Sequence, residues 1–293
     1  MDLRLLVWNV GFGFRNERTK EFEENRLRLA RSLVSEVNPD VFVIVEANGT
    51  TLQAYKEWFN YRNGAQVSWL GDKNKNKWGI VTLSKQEIDH SEERIFPAQQ
   101  NREDKNKRKA LRTNILVGNT SVTIDAIHPD PYTDVSKKIQ GIDEMIDGST
   151  LENHLIVGDG NCTSYLDSDE LKKLNPAEFK SLRDKHIKYF SGRPLVMDSG
   201  RTGEEITDIF LAAEFMRHLK SRGYCDVFER FKRYPTIPTL SANPNPETEA
   251  KLDHIIAHQT IPVLHAEVLR STSVEDPAEG ASDHRPVFAK LRF

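Results

Sequence analysis

The sequence predicts an α/β sandwich in which two β-sheets pack face to face with helices outside. Three observations predict it. Apolar runs of strand length recur along all 293 residues, so one large core is affordable. Amphipathic segments of helical period separate clusters of those runs, which is the pattern of sheets covered by helices. Polar and ionisable residues recur where the apolar runs stop, as expected if several strand ends meet at one rim.

Leu3 to Val10 reads as a buried strand, because it is apolar without alternation and both faces must be covered. Lys20 to Val37 reads as a helix, with Phe22, Leu27, Leu29, Ala30, Leu33 and Val34 near helical spacing, and Asn38-Pro39-Asp40 stops it. Val41 to Val45 is a continuous apolar strand that ends at Glu46, and Thr51 to Tyr61 suits a short helix. Strands are expected at Val67–Leu70, Trp78–Leu83, Leu111–Val117 and Val122–Ile127, joined by turn-rich or basic loops. Asp134 to Ile146 is a second amphipathic helix, followed by a short strand at Leu155–Val157. Asp167 to Arg222 is mostly helical in character, broken around Ser191–Gly203. Tyr224–Phe228, Leu252–Ile256, Ala266–Leu269 and Val287–Leu291 complete the strands, and the prolines of Pro235–Pro246 make an irregular loop. A single domain over 1–293 follows, with a helical insertion around 163–222.

Composition narrows the class. The chain is 38% hydrophobic and 29% charged, with net charge −3, so it is not a uniformly basic nucleic-acid coat. A basic face on a mildly acidic protein still serves a polyanion. Lys73 to Lys77 ends at Trp78, Arg102 to Arg112 carries Lys105, Lys107, Arg108 and Lys109, and Lys232-Arg233 precedes Tyr234. No run approaches the ~20 apolar residues of a membrane span. The N-terminus has no signal-peptide shape. Two cysteines, Cys162 and Cys225, do not make a disulfide framework, so a reduced, cytoplasmic protein with no membrane partner is expected.

The chemistry-bearing residues sit at strand ends. Asn9 closes the first strand, Glu46 the second, and His128 follows Val122–Ile127. Asp159 and Asn161 follow Leu155-Ile156-Val157-Gly158, Asp253 opens an apolar strand, and Asp283-His284 precedes the last one. Any one of these is equally a turn former or a satisfied buried group. Together they bring carboxylates, amides and imidazoles to one rim, and burying several carboxylates side by side is costly without a cation. Alternation turns His254 to the face opposite Asp253, which makes it structural, and Cys162 reads as a small core residue.

The ordered set Trp8-Asn9, Glu46, Trp78-Gly79-Ile80, His128, Gly158-Asp159-Gly160-Asn161, Leu252-Asp253-His254-Ile255 and Ser282-Asp283-His284-Arg285-Pro286 resembles the endonuclease/exonuclease/phosphatase superfamily, the fold of deoxyribonuclease I. The resemblance spans nearly the whole chain. It implies a four-layer α/β sandwich with two mainly antiparallel sheets, and a divalent cation, Mg²⁺ or Mn²⁺. It further implies that Glu46, Asn9 and Asp283 hold the metal and that Asp159 orients or deprotonates the attacking water. Asn161 would hold the nucleophile or a phosphate oxygen, and Asp253 would orient His284. His284 and His128 would bind phosphate oxygens, where each donor lost costs about 3 kcal/mol of transition-state stabilisation. Many relatives carry Gln where this chain has Val45, and abasic-site endonucleases carry an acid where it has Gly11 and tend to carry Tyr where it has His128. These departures point away from abasic-site repair and toward the deoxyribonuclease I, tyrosyl-DNA phosphodiesterase and phosphatase branches. The expected substrate is nucleic acid, DNA ahead of RNA, cleaved internally and gripped by Lys77, Trp78, Lys105, Lys107, Arg108, Lys109 and Arg112. A small phosphoester is the alternative.

Overall fold

The computed structural model describes residues 1–15, 21–70, 77–95, 108–129, 134–161, 176–191, 202–211, 214–231, 253–269, 281–282 and 284–293. Two six-stranded sheets form the centre of the molecule. The first has the order β11 (Val263–Val268), β12 (Val287–Arg292), β1 (Asp2–Asn9), β2 (Val41–Val45), β4 (Lys77–Ser84), β3 (Asn63–Leu70). The second has the order β5 (Ile88–Ile95), β6 (Lys109–Val117), β7 (Thr120–Ile127), β8 (His154–Asp159), β10 (Asp253–His258), β9 (Tyr224–Asp226).

Each sheet contains one parallel pair, β1 with β2 and β7 with β8, and every other neighbour is antiparallel. Both sheets therefore repeat one pattern, with the parallel pair third and fourth in the row. The expected sandwich, mainly antiparallel, is the fold observed.

Strand alternation splits the apolar residues into layers. Leu5, Val7, Val41, Val43, Ile124, Leu155, Val157 and Ile255 point between the sheets and form the central core. Leu6, Trp8, Phe42 and Ile44 point outward and are covered by α2 (Glu24–Val37) and α3 (Leu52–Phe59). Ile127, Ile156 and Ile256 point out of the other sheet, against Ile142, Met145 and Ile146 of α4 (Val135–Asp147). The strands read as unbroken apolar runs because both of their faces are buried.

Local signals set the helix limits. Thr51 accepts from the Ala54 amide at 3.3 Å and starts α3, while Asn38 takes a left-handed conformation and bonds Val34 to end α2. A four-residue turn, α1 (Gly11–Phe14), follows β1. The segment between β8 and β9 contributes α5 (Pro176–Ser191), α6 (Gly203–Leu211) and α7 (Glu214–Ser221).

Two expectations need correction. Tyr224–Phe228 is a strand only to Asp226, and Val227–Phe231 turns as a 3₁₀ helix. Strand β5 was not expected, because Ile-Asp-His-Ser-Glu-Glu-Arg-Ile is polar. It is an edge strand with little to bury, and charge on an edge blocks pairing with other chains. Among the described residues no helix is long and apolar enough to cross a membrane.

Candidate active site

The two parallel pairs run to the same edge of the sandwich, and the strands antiparallel to them begin there. Asn9 is the last residue of β1, Glu46 follows β2, His128 follows β7 and Asp159 ends β8. Asp253 opens β10 directly opposite Asp159, and His284 stands just before β12. The carboxyl ends of parallel strands are the usual place for a site in an open sheet, and here two sheets contribute one pair each.

Asn9 joins the two halves. Its Nδ2 donates to Glu46 Oε1 at 3.3 Å and to Asp159 Oδ2 at 3.1 Å, while its Oδ1 accepts from the Gly11 amide. The other Asp159 oxygen accepts from the Asn161 amide at 2.8 Å. Glu46 and Asn161 both hold positive φ, 58° and 43°. Such backbone costs about 1–3 kcal/mol for a residue with a Cβ and persists where its surroundings enforce it. Around Glu46 they do so through the Ala47 amide, bonded to Gly79 O, and the Asn48 amide, bonded to Glu46 O.

His284 is held from three sides. Its Nδ1 lies 2.8 Å from Asp253 Oδ2, its carbonyl accepts from Trp8 Nε1 at 2.8 Å, and its amide donates to Ser282 Oγ at 3.1 Å. Ser282 in turn donates to Asn9 O at 2.6 Å, which ties the His284 loop to the end of β1. With the carboxylate at Nδ1, that nitrogen carries the proton and Nε2 is the acceptor.

His128 lies with Nε2 3.7 Å from Glu46 Oε1 and 3.6 Å from Asp159 Oδ2. Burial, helped by the charges of Arg108, His284 and Lys138, pushes its pKa well below the usual imidazole value. Burial thus favours the neutral ring, and Nε2 is the nitrogen that faces the two carboxylates. Burial raises the pKa of Asp159, and the charge of Asp253 raises it further; His284 and the donors Asn161 and Asn9 oppose them without cancelling the shift. A buried carboxyl poised upward is suited to accepting a proton.

These donors fit a hard divalent cation. Glu46 and Asp159 point carboxylate oxygens at the same amide and the same imidazole, and oxygen-rich sites suit Mg²⁺ or Mn²⁺. Asp159, Asp253 and His284 also offer ligand atoms within 4.8 Å of one another. That triplet is already joined internally by the His284–Asp253 bond, so the Asn9–Glu46–Asp159 side is the better cradle. Asp283 lies outside the described residues.

The residues expected to grip a polymer divide. Arg108 and Trp78 stand at the rim, the guanidinium 5.8 Å from the indole centroid, and Arg108 donates to the carbonyls of His128 and Pro129. The Trp78 and Trp69 rings lie 6.4 and 6.5 Å from the His128 ring. Lys77 begins β4 at the same edge; its side chain, like Lys105 and Lys107, is outside the described set. Lys109 is instead paired across the strands with Glu93 at 2.9 Å. Arg112 is a correction: it is buried, forks onto Asp125 at 2.9 and 2.6 Å, and caps the end of α4 through Met145 O and Gly148 O. Its position on β6 turns it away from the rim. Asp125 also bonds His154, which meets Tyr224 OH at 2.6 Å. His254 faces away from the site as alternation requires, and bonds Asp226 at 2.7 Å.

Lys138 was missed. It is 1% exposed and its Nζ donates to Asn161 O at 2.7 Å. The available signal was its spacing, one turn before Ile142 on the apolar stripe of α4, where a lysine has no reason to be unless its head group is used.

Residues 6–284 match the endonuclease/exonuclease/phosphatase family. No curated protein matches the sequence. Among solved structures, an endonuclease/exonuclease/phosphatase family protein from Leptotrichia buccalis is 14% identical with TM-score 0.66, over 99% of this chain and 100% of the other. A mannosyl-6-phosphatase from Bacteroides thetaiotaomicron is 18% identical with TM-score 0.61, over 99% of this chain and 100% of the other. D. rerio TDP2, complexed with single strand DNA product, is 17% identical with TM-score 0.56, over 100% of this chain and 99% of the other. At these identities the likeness carries the fold.

Proposed function

The chain belongs to the endonuclease/exonuclease/phosphatase family, and from that premise we propose that it is a divalent-cation-dependent hydrolase of nucleic-acid phosphodiesters, DNA ahead of RNA, acting as an endonuclease. The observation that carries the hydrolytic reading is Asn9 bridging Glu46 and Asp159, with His128 against the same two carboxylates. Glu46, with Asp283, would hold the cation, which would supply Lewis acidity at a phosphoryl oxygen, and Asn9, expected as a ligand, orients the Glu46 carboxylate through its Nδ2. Asp159 orients the attacking water and takes its proton. Neutral His128 donates from Nε2 to a non-bridging oxygen, and His284, oriented by Asp253, stabilises charge as the ester bond breaks. Asn161 fixes Asp159 through its own amide and anchors its side chain on Pro129 O.

The Trp78 and Arg108 surface beside His128 supports the polymer, because an aromatic face with a guanidinium stacks on bases. TDP2, which holds a DNA product, shares the fold. A small phosphoester is the second reading. It is favoured by Arg112 and Lys109 being committed to Asp125 and Glu93, and a sugar phosphatase also shares the fold.

One assay separates them. Supercoiled, linear and single-stranded DNA, matching RNA, and a panel of small phosphoesters are incubated with Mg²⁺ or Mn²⁺ and with EDTA. Nicking of supercoiled DNA that EDTA abolishes and salt weakens steeply is expected. Turnover of small esters alone would replace the polymer reading, and no turnover of any ester would sink both.

A further inference from the structure

We infer that Lys138 is a positioning residue of the hydrolytic site, acting on Asp159 through Asn161; the inference rests on the phosphoester reading above. Lys138 stands on the buried stripe of α4, where Gly141, Ile142, Met145 and Ile146 pack against the outer face of the second sheet. Its stem follows that apolar face to the rim, as long cationic side chains do, but the head group stays inside: the residue is 1% exposed. An ammonium withdrawn from water is retained only where its contacts compensate, and here Nζ donates to Asn161 O at 2.7 Å.

Asn161 is the residue that needs holding. Its φ of 43° is a conformation that residues with a Cβ enter at a cost. Its N–H donates to Asp159 Oδ1, its side chain to Pro129 O, and its carbonyl accepts from Lys138. The bond to Asp159 fixes the peptide before Asn161 and the bond from Lys138 fixes the peptide after it. Asp159 is thereby clamped between the Asn161 amide on one oxygen and Asn9 on the other. Pro129 O also receives Arg108 at 3.5 Å, so two cations grip the carbonyls of the loops flanking His128 and Asp159. Lys138, buried as it is, has no place on the substrate. Lys138 works at one remove, on the angle of the carboxylate that directs water.

The test compares wild type with Lys138→Met, which keeps the stem and removes the donor. Steady-state kinetics on whichever phosphoester the wild type cleaves should show kcat lowered about 10- to 100-fold with KM changed by less than about threefold, the behaviour of a supporting contact that serves the transition state. Amide hydrogen exchange gives a readout independent of activity. Exchange at the Asn161 amide should rise about tenfold or more, while Leu155, Ile156 and Val157 keep their protection within β8. Unchanged exchange at Asn161, or a loss confined to KM, overturns the inference. If exchange rises uniformly through β8, the fold has loosened, and Lys138→Gln, which retains an amide donor, decides. Wild-type protection restored to Leu155, Ile156 and Val157 in that variant, whether or not the Asn161 amide is restored with them, supports the positioning role, and a uniform rise makes the lysine structural and overturns it. A wild type that hydrolyses no phosphoester would overturn the proposed function, while the exchange at Asn161 still judges the clamp.

Discussion

Asp253 Oδ2 stands 2.8 Å from His284 Nδ1, with both residues buried at the edge where the two sheets meet. Replacing the carboxylate by an amide preserves shape but removes the charge that holds the imidazole's tautomer. Asp253→Asn should therefore lower kcat about 100-fold or more with little change in fold. Steady-state kinetics alongside circular dichroism checks this. Undiminished turnover would remove the pair from the mechanism.

Cation binding should stabilise the folded protein measurably. Free Mg²⁺ or Mn²⁺ at 100 times its dissociation constant adds about 2.7 kcal/mol to a site present only in the native state. Thermal unfolding should shift upward with cation in the wild type and much less in Glu46→Gln. An equal shift in both would move the cation away from Glu46.

Acid stability should depend on Asp125. Burial alone would raise this carboxyl, but hydrogen bonds from Arg112 and His154 outweigh it and hold the folded-state pKa below 3.8. The unfolded chain takes up the proton first, so the contribution is fully present above 3.8 and is lost as pH falls through the folded-state value. Asp125→Asn should be less stable at neutral pH and flatter in that acid interval, as read from urea midpoints at each pH. Arg112→Met leaves the carboxylate buried without its fork, at a cost of about 3–5 kcal/mol. At equal folded fraction that variant should keep the wild-type salt dependence of cleavage, because Arg112 does not reach the substrate edge.

Gly158 has φ 127°, and a Cβ there would stand 2.1 Å from Ile127 O on the neighbouring strand. No side chain can relieve a clash with backbone. Gly158→Ala should cost about 3 kcal/mol or more, seen as a lowered denaturation midpoint. A midpoint within experimental scatter of wild type would mean that β7 and β8 separate more easily than their pairing implies.

Most strands and the rim residues were legible because each strand that bears chemistry is buried on both faces. Such strands write themselves as apolar runs, and a polar residue at the end of one stands out, as Glu46 does after Val41–Val45. Strand β5 was illegible because an edge strand borrows its order from β6 and needs no apolar face. Arg112 was misread for a different reason: it shares its strand face with Arg108 but lies four residues further along, roughly 13 Å at about 3.3 Å per residue, so Arg112 went to Asp125 beside α4 while Arg108 stayed at the rim. Lys138 was hidden by the habit of treating lysine on an amphipathic helix as solvated.

The repeated strand order has a consequence for how mutations far from the rim will behave. Each sheet delivers half of the proposed machinery, Asn9 and Glu46 from one, His128 and Asp159 from the other, and the apolar layer between them sets their spacing together with the Asn9–Asp159 and Asp253–His284 bonds. Trimming Val7, Val43 or Val157 in that layer would let one half slide against the other by fractions of an ångström, enough to misalign reacting groups. In a deep mutational screen for activity, those valines should score like members of the catalytic set, although none of them touches a substrate. On the proposed mechanism the hydrophobic interior would be the calibrating element, and its tolerance to substitution would be set by catalysis before it is set by unfolding.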